Sequence, residues 1–162
     1  MKLRKLEPKD AEFMLEWMHD SMVVKDLRTN FSDKTIEDCE KFIKNSCDED
    51  NVNLAIVDAK DDYLGTVSLK HISKESAEFA ITIRKEAMGK GYSKWAMEEI
   101  LKLGFEKYDL EEIYWCVSPK NLRAVRFYDK NRYQRCGSKS IGHVPGYNDK
   151  QIAGYIWYRV KQ

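Results

Sequence analysis

No run of apolar residues in this sequence is long enough to cross a membrane. Charge of one sign is missing too: 28 Lys and Arg against 27 Asp and Glu leave a net charge of +1. Broad electrostatic attraction to nucleic acid needs a larger excess, which argues against a nucleic-acid partner. The opening residues, MKLRKLEPKD, carry no apolar segment of a signal peptide, so the chain is expected in the cytoplasm. Cys39, Cys47, Cys116 and Cys136 lack the paired spacing of a zinc or redox motif. In a reducing compartment they read as free thiols, with Cys116 in the core. His19, His71 and His143 are scattered and make no metal set. There is no repeat, low-complexity tract or linker, and 162 residues suit one domain, spanning 1–162.

What is present suffices for a core: 43% hydrophobic and 12% aromatic residues. Residues 2–6 alternate charge with leucine and read as a strand. Pro8 and Asp10 open a helix over 11–18, with Phe13, Met14 and Trp17 on one side. Residues 19–31 have no clean period and read as a loop with a short helical turn. Ser32 or Asp33 is expected to cap a helix to about Asn45 that turns Ile36, Cys39, Phe42 and Ile43 inward. Residues 52–57 and 63–71 form a hairpin of strands, with Gly65 marking a bulge or a close backbone approach.

The stretch that organises the chain is EFAITIRKEAMGKGYSKWAMEEILKLGFEKY, residues 78–108. Phe79, Ile81 and Ile83 alternate with Glu78, Ala80 and Thr82, the period of a strand. Gly89 and Gly91 then permit a turn, and Met97, Ile100, Leu101, Gly104 and Tyr108 fall on one helical face. Gly104 costs that helix roughly 1 kcal/mol against alanine, which close packing on the sheet would offset. A strand feeding a glycine turn that opens a helix makes a phosphate site, and Lys90 and Lys94 add charge there. The turn lacks the third glycine of a dinucleotide fingerprint and the closing Gly-Lys-Ser/Thr of a P-loop. Residues 113–117 should run parallel to 78–83, because a helix crosses between them. A short helix over 124–131 follows, then closing strands at 134–141 and 151–160 around a loop at 142–150.

The glycine turn and the downstream NLRAVRFY, residues 121–128, together resemble the acetyl-CoA motifs of the GNAT superfamily of N-acyltransferases. The first falls on Met88, Gly89, Lys90, Gly91, Tyr92 and Ser93. The second has its asparagine, alanine and tyrosine at Asn121, Ala124 and Tyr128. Met88 departs from the usual Arg or Gln, Ser93 from Gly or Ala, and Arg132 from a glycine before an aromatic. The resemblance implies an α+β fold: a mixed sheet of six to seven strands flanked by about four helices, its two central parallel strands splayed for the pantetheine arm. It implies acetyl-CoA as co-substrate, no metal, and direct transfer to a primary amine on a small molecule or peptide. A homodimer stays open.

The resemblance also implies roles. The turn residues, with Lys94 and Arg126, bind phosphates. Ile81 and Ile83 lend strand backbone to the pantetheine arm, and Asn121 supports it. Tyr128 protonates the departing sulfur, and Glu78 acts as base. Trp17, His19, Asp20, Asp26 and Tyr147 line the acceptor pocket. Each residue has a plainer reading. Tyr128 is a packed aromatic, Asn121 a helix cap, Glu78 a solvated strand-end carboxylate and His19 a surface histidine. The basic run Lys120, Arg123, Arg126, Lys130, Arg132, Arg135 and Lys139 reads as a solvated face that partly meets coenzyme A phosphates. Two other classes compete: an acyl-CoA sensor without turnover, supported by Met88 and Ser93, and an RNA- or ribosome-associated protein using the basic run.

Overall fold

The computed structural model describes residues 1–162. Seven strands form one sheet: β1 Lys2–Lys5, β2 Val52–Val57, β3 Tyr63–Lys70, β4 Ser76–Ile83, β5 Glu112–Val117, β6 Gln134–Cys136 and β7 Ile156–Lys161, in the order β1-β2-β3-β4-β5-β7-β6. Neighbours are antiparallel except β4 and β5, which the crossover helix makes parallel. Seven helices flank the sheet: α1 Ala11–His19, α2 Ser21–Val24, α3 Ile36–Lys44, α4 Tyr92–Tyr108, α5 Leu122–Lys130, α6 Ser138–Ile141 and α7 Asp149–Gly154. Four of them, α1, α3, α4 and α5, reach nine residues or more.

Strand alternation divides the main core in two, and a third, smaller cluster joins Tyr114, Val144, Ile152 and Trp157. Ile56, Val67, Leu69, Phe79, Ile113 and Trp115 face α4 and α5. Ala55, Val57 and Tyr63 face α1 and α3. Gly104 lets α4 approach the sheet, since a Cβ there would stand 2.6 Å from Ile113 Cδ1. Gly65 admits a neighbouring strand, since its Cβ would meet the Thr82 carbonyl at 2.3 Å.

Several expectations shift. Thr35, not Ser32 or Asp33, caps α3, exchanging hydrogen bonds with Asp38. Phe42 and Phe13 stay exposed; Phe13 lies under the Arg84 guanidinium at 4.4 Å instead. The strand expected over 134–141 ends at Cys136 and gives way to α6. The first part of the strand expected over 151–160 is α7, because Asn148 and Gln151 form a reciprocal cap.

The site follows from one feature of the sheet. β4 pairs with β5 only through Ser76, Ala77 and Glu78. Beyond Glu78 the two strands part, as expected of splayed central strands, and β4 from Phe79 to Ile83 stays paired on its β3 side alone.

Candidate functional site

Where the strands part, a cleft of about 500 Å³ opens. Its cofactor end is made of backbone. Gly89 and Gly91 take φ of 75° and 85°, in the left-handed region that favours glycine. Gly91 is the N-cap of the 17-residue α4, so the helix begins with unpaired N–H groups and its positive dipole end at the turn. Nothing lies within 4 Å of a Cβ built at either glycine, so the turn faces open space. Met88, Gly89, Ser93, Ile81, Ile83 and Asn121 all line the cleft. Asn121 Oδ1 also accepts from the Ala124 amide at 3.1 Å, so it caps α5 as well.

Five expected cofactor residues do not line it: Lys90, Gly91, Tyr92, Lys94 and Arg126. Lys90 and Arg126 are exposed, Tyr92 is half-buried in the first turn of α4, and Lys94 lies 3.8 Å from Glu98 one turn along. Arg123 does line it, with Nη1 2.6 Å from Met88 Sδ. A guanidinium therefore stands where Met88 lacks one.

The other end is made of side chains. Glu78 is the third residue of β4 and only 3% exposed, so it is not a solvated strand-end carboxylate. The Tyr147 hydroxyl donates to Glu78 Oε1 at 2.8 Å. Lys70 Nζ and His71 Nε2 each lie 3.7 Å from Oε2. The Cys116 thiol reaches the Tyr147 hydroxyl at 3.4 Å and is pushed up to about 11 by burial. It lines the cleft rather than filling the core. Burial, then Cys116 and Glu78, push the Tyr147 phenol well above its usual value. Above it, the Arg28 guanidinium lies 4.1 Å from the Tyr147 ring centre and donates from Nη1 to the Gly146 carbonyl at 2.7 Å.

Asp26 and Tyr147 line this end as expected. Trp17, His19 and Asp20 do not. Trp17 is a core residue whose Nε1 donates to the Tyr63 hydroxyl at 3.1 Å. His19 Nε2 sits 3.0 Å from the Lys34 carbonyl. Asp20 caps α2 by accepting from the Met22 amide at 2.8 Å.

Tyr128, on α5, packs among Trp115, Tyr133 and Tyr158 and also lines the cleft. It is 7% exposed, and burial pushes its phenol well above the usual value. No protein group bonds its hydroxyl, and the one side-chain polar atom both buried and unpartnered is Trp115 Nε1. The Tyr128 hydroxyl therefore opens onto the cleft.

The acetyltransferase (GNAT) domain profile matches residues 1–134. The chain belongs to the GNAT acetyltransferase family. Among GNAT relatives, an uncharacterized N-acetyltransferase p20 of Bacillus licheniformis is 27% identical over 141 residues, 83% of this chain and 79% of that one. The spermidine N(1)-acetyltransferase of Vibrio cholerae is 31% identical over 107 residues, 65% and 59% of the two chains. The crystal structure of spermidine N-acetyltransferase from Vibrio cholerae in complex with CoA and spermine superposes with a TM-score of 0.80 at 23% identity, covering 99% of this chain and 95% of that one. At that identity the likeness is one of fold. Family membership makes the protein an acyltransferase.

The sequence does not single out Arg28, Lys70 or Cys116 for the site, and it offers Arg123 only as one member of the basic run. Arg123 carried a usable signal, since it stands inside the asparagine–alanine spacing of the second motif. Arg28 and Gly146 fall in the stretches 17–31 and 142–150 expected to shape the acceptor pocket, but their pairing carried no signal, since they are 118 residues apart.

Proposed function

We propose that this GNAT protein moves the acetyl group of acetyl-CoA directly onto a primary amine, with both substrates held together in the cleft. The observation that carries the reading is the parting of β4 and β5 at Glu78. It opens one cleft walled by the glycine turn, by Tyr128 and by the Glu78–Tyr147 pair. The residues present fit acetyl-CoA. The left-handed turn and the start of α4 suit a pyrophosphate. The β4 edge beyond Glu78 is free on the side where a pantetheine amide would pair. Arg123 brings a cation to the place where Met88 lacks one, which supports cofactor binding.

Acetyl-CoA supplies an acyl group activated as a thioester. Backbone amides of Gly89 and Ser93, which line the cleft, and of Lys90 and Gly91, in the turn just beyond its lining, would bind its pyrophosphate, and Ile81, Ile83 and Asn121 would hold the arm. Glu78 takes the proton that the attacking amine must lose, and the Tyr147 hydroxyl fixes the orientation of its carboxylate. Tyr128, fully protonated at neutral pH, donates a proton to the departing sulfur. The test is turnover of acetyl-CoA with a panel of amines, following thiol release and the acetylated amine together. Thiol release with no acetylated amine from any member would overturn the reading.

A further inference from the structure

The charges around the cleft bear on which amine enters it. Five charged side chains line it: Asp26, Arg28, Lys70, Glu78 and Arg123. Arg123 stands at Met88, on the cofactor side. The other four leave the acceptor end with two carboxylates and two cations. Glu78 already has Lys70 and His71 at 3.7 Å and the Tyr147 hydroxyl at 2.8 Å. A polyamine brings several ammonium groups, each needing a carboxylate once it leaves water. Beyond the reacting amine, such a chain would meet Arg28 and Lys70 as well as Asp26.

Arg28 pairs with no carboxylate. One N–H goes to the Gly146 carbonyl and one flat face rests on Tyr147, which leaves guanidinium donors free. A guanidinium held in one orientation is a receptor for carboxylate or phosphate. We propose, building on the acetyltransferase reading, that the acceptor amine also carries an anionic group, carboxylate or phosphate, and that Arg28 binds it. The Tyr147 side chain carries Arg28 on its ring and Glu78 at its hydroxyl. The Tyr147 side chain thus stands between the two, so several bonds part anion and amine in the acceptor, more than in an α-amino acid.

The test compares matched pairs that differ in the remote group: aminocaproate against cadaverine, and glucosamine phosphate against glucosamine. Binding is measured by calorimetry to the protein saturated with desulfo-coenzyme A, and kcat/KM with acetyl-CoA. The anionic member of at least one pair should win by at least about tenfold, the worth of a charged hydrogen bond. The pair that shows it tells carboxylate from phosphate. Arg28→Gln should erase the preference and Arg28→Lys should keep part of it. Equal or better binding of cadaverine and glucosamine overturns the proposal. So does an Arg28→Gln variant that weakens both members of a pair alike, which would make Arg28 a loop latch. A binding preference without turnover would instead overturn the acetyltransferase reading and leave this one standing.

Discussion

The two ends of the cleft are built differently. The cofactor end is local: a strand, a two-glycine turn and a helix N-terminus within residues 76–108, whose donors are backbone amides. The acceptor end is assembled across the chain. Tyr147 meets Glu78 over 69 residues, and Arg28 meets Gly146 over 118. Backbone recognition tolerates changes of side chain, which is why Met88 and Ser93 can depart from the family pattern while the turn keeps its shape. Side-chain recognition does not, and the acceptor end is where a change of one residue alters which molecule fits.

The largest expected effect lies where the two ends meet. Tyr128→Phe keeps the ring among Trp115 and Tyr158 and removes only a hydroxyl with no protein partner. We expect kcat to fall by about 10²-fold or more, the usual contribution of a general acid, with little change in melting temperature or acetyl-CoA affinity. Near-normal kcat with acetyl transfer rate-limiting would make Tyr128 a packing residue. Because burial raises the Tyr128 phenol, its deprotonation should not limit the rate below about pH 10, the ordinary tyrosine value.

Gly91→Val attacks the cofactor end alone. It should abolish the rise in melting temperature that acetyl-CoA gives the parent. Gly91→Ala separates blockage from strain, because at a φ of 85° any side chain destabilises the free protein. The alanine alone should cost about 1 kcal/mol, or roughly 2–4 °C. An unchanged acetyl-CoA shift in the valine variant would move the pyrophosphate elsewhere.

Glu78→Gln attacks the acceptor end. It should lower kcat/KM by about tenfold or more at neutral pH while acetyl-CoA binding holds. Raising the pH should restore part of the rate, since the neutral fraction of an amine grows about tenfold per unit below its own pKa of ~10. A loss that stays the same at every pH would give Glu78 a structural role only.

The smallest expected effect lies outside both ends. Arg132 holds a φ of 61°, where relatives of this motif usually carry glycine. Arg132→Gly should stabilise the protein by up to about 1 kcal/mol in chemical denaturation and leave kinetics untouched. A loss of stability would show that the arginine side chain is held by more than its backbone strain suggests.

This contrast also explains what the sequence disclosed. The glycine turn, the 52–71 hairpin and the crossover that makes 113–117 parallel to 78–83 are legible because each follows from spacing inside a short window, whereas the placing of β7 between β5 and β6 depends on pairing across the sheet. The caps at Thr35 and Asn148 were equally legible, since Thr-x-x-Asp and Asn-x-x-Gln exchange bonds across three residues. The apolar run Tyr155, Ile156, Trp157 and Tyr158 and the Ser and Asp candidates at 32 and 33 compete with them. Trp17, His19 and Asp20 looked like pocket residues because they flank an aperiodic stretch. Only tertiary packing could show that Trp17 donates to Tyr63 and that Arg28 joins the expected Asp26 at the cleft.

The central claim is that both ends are filled at once and transfer is direct. Initial rates with acetyl-CoA and an acceptor amine varied together test it. The account predicts lines that intersect in double-reciprocal form, as a ternary complex requires. Parallel lines, with an acetyl group recovered on the protein after acetyl-CoA alone, would contradict it.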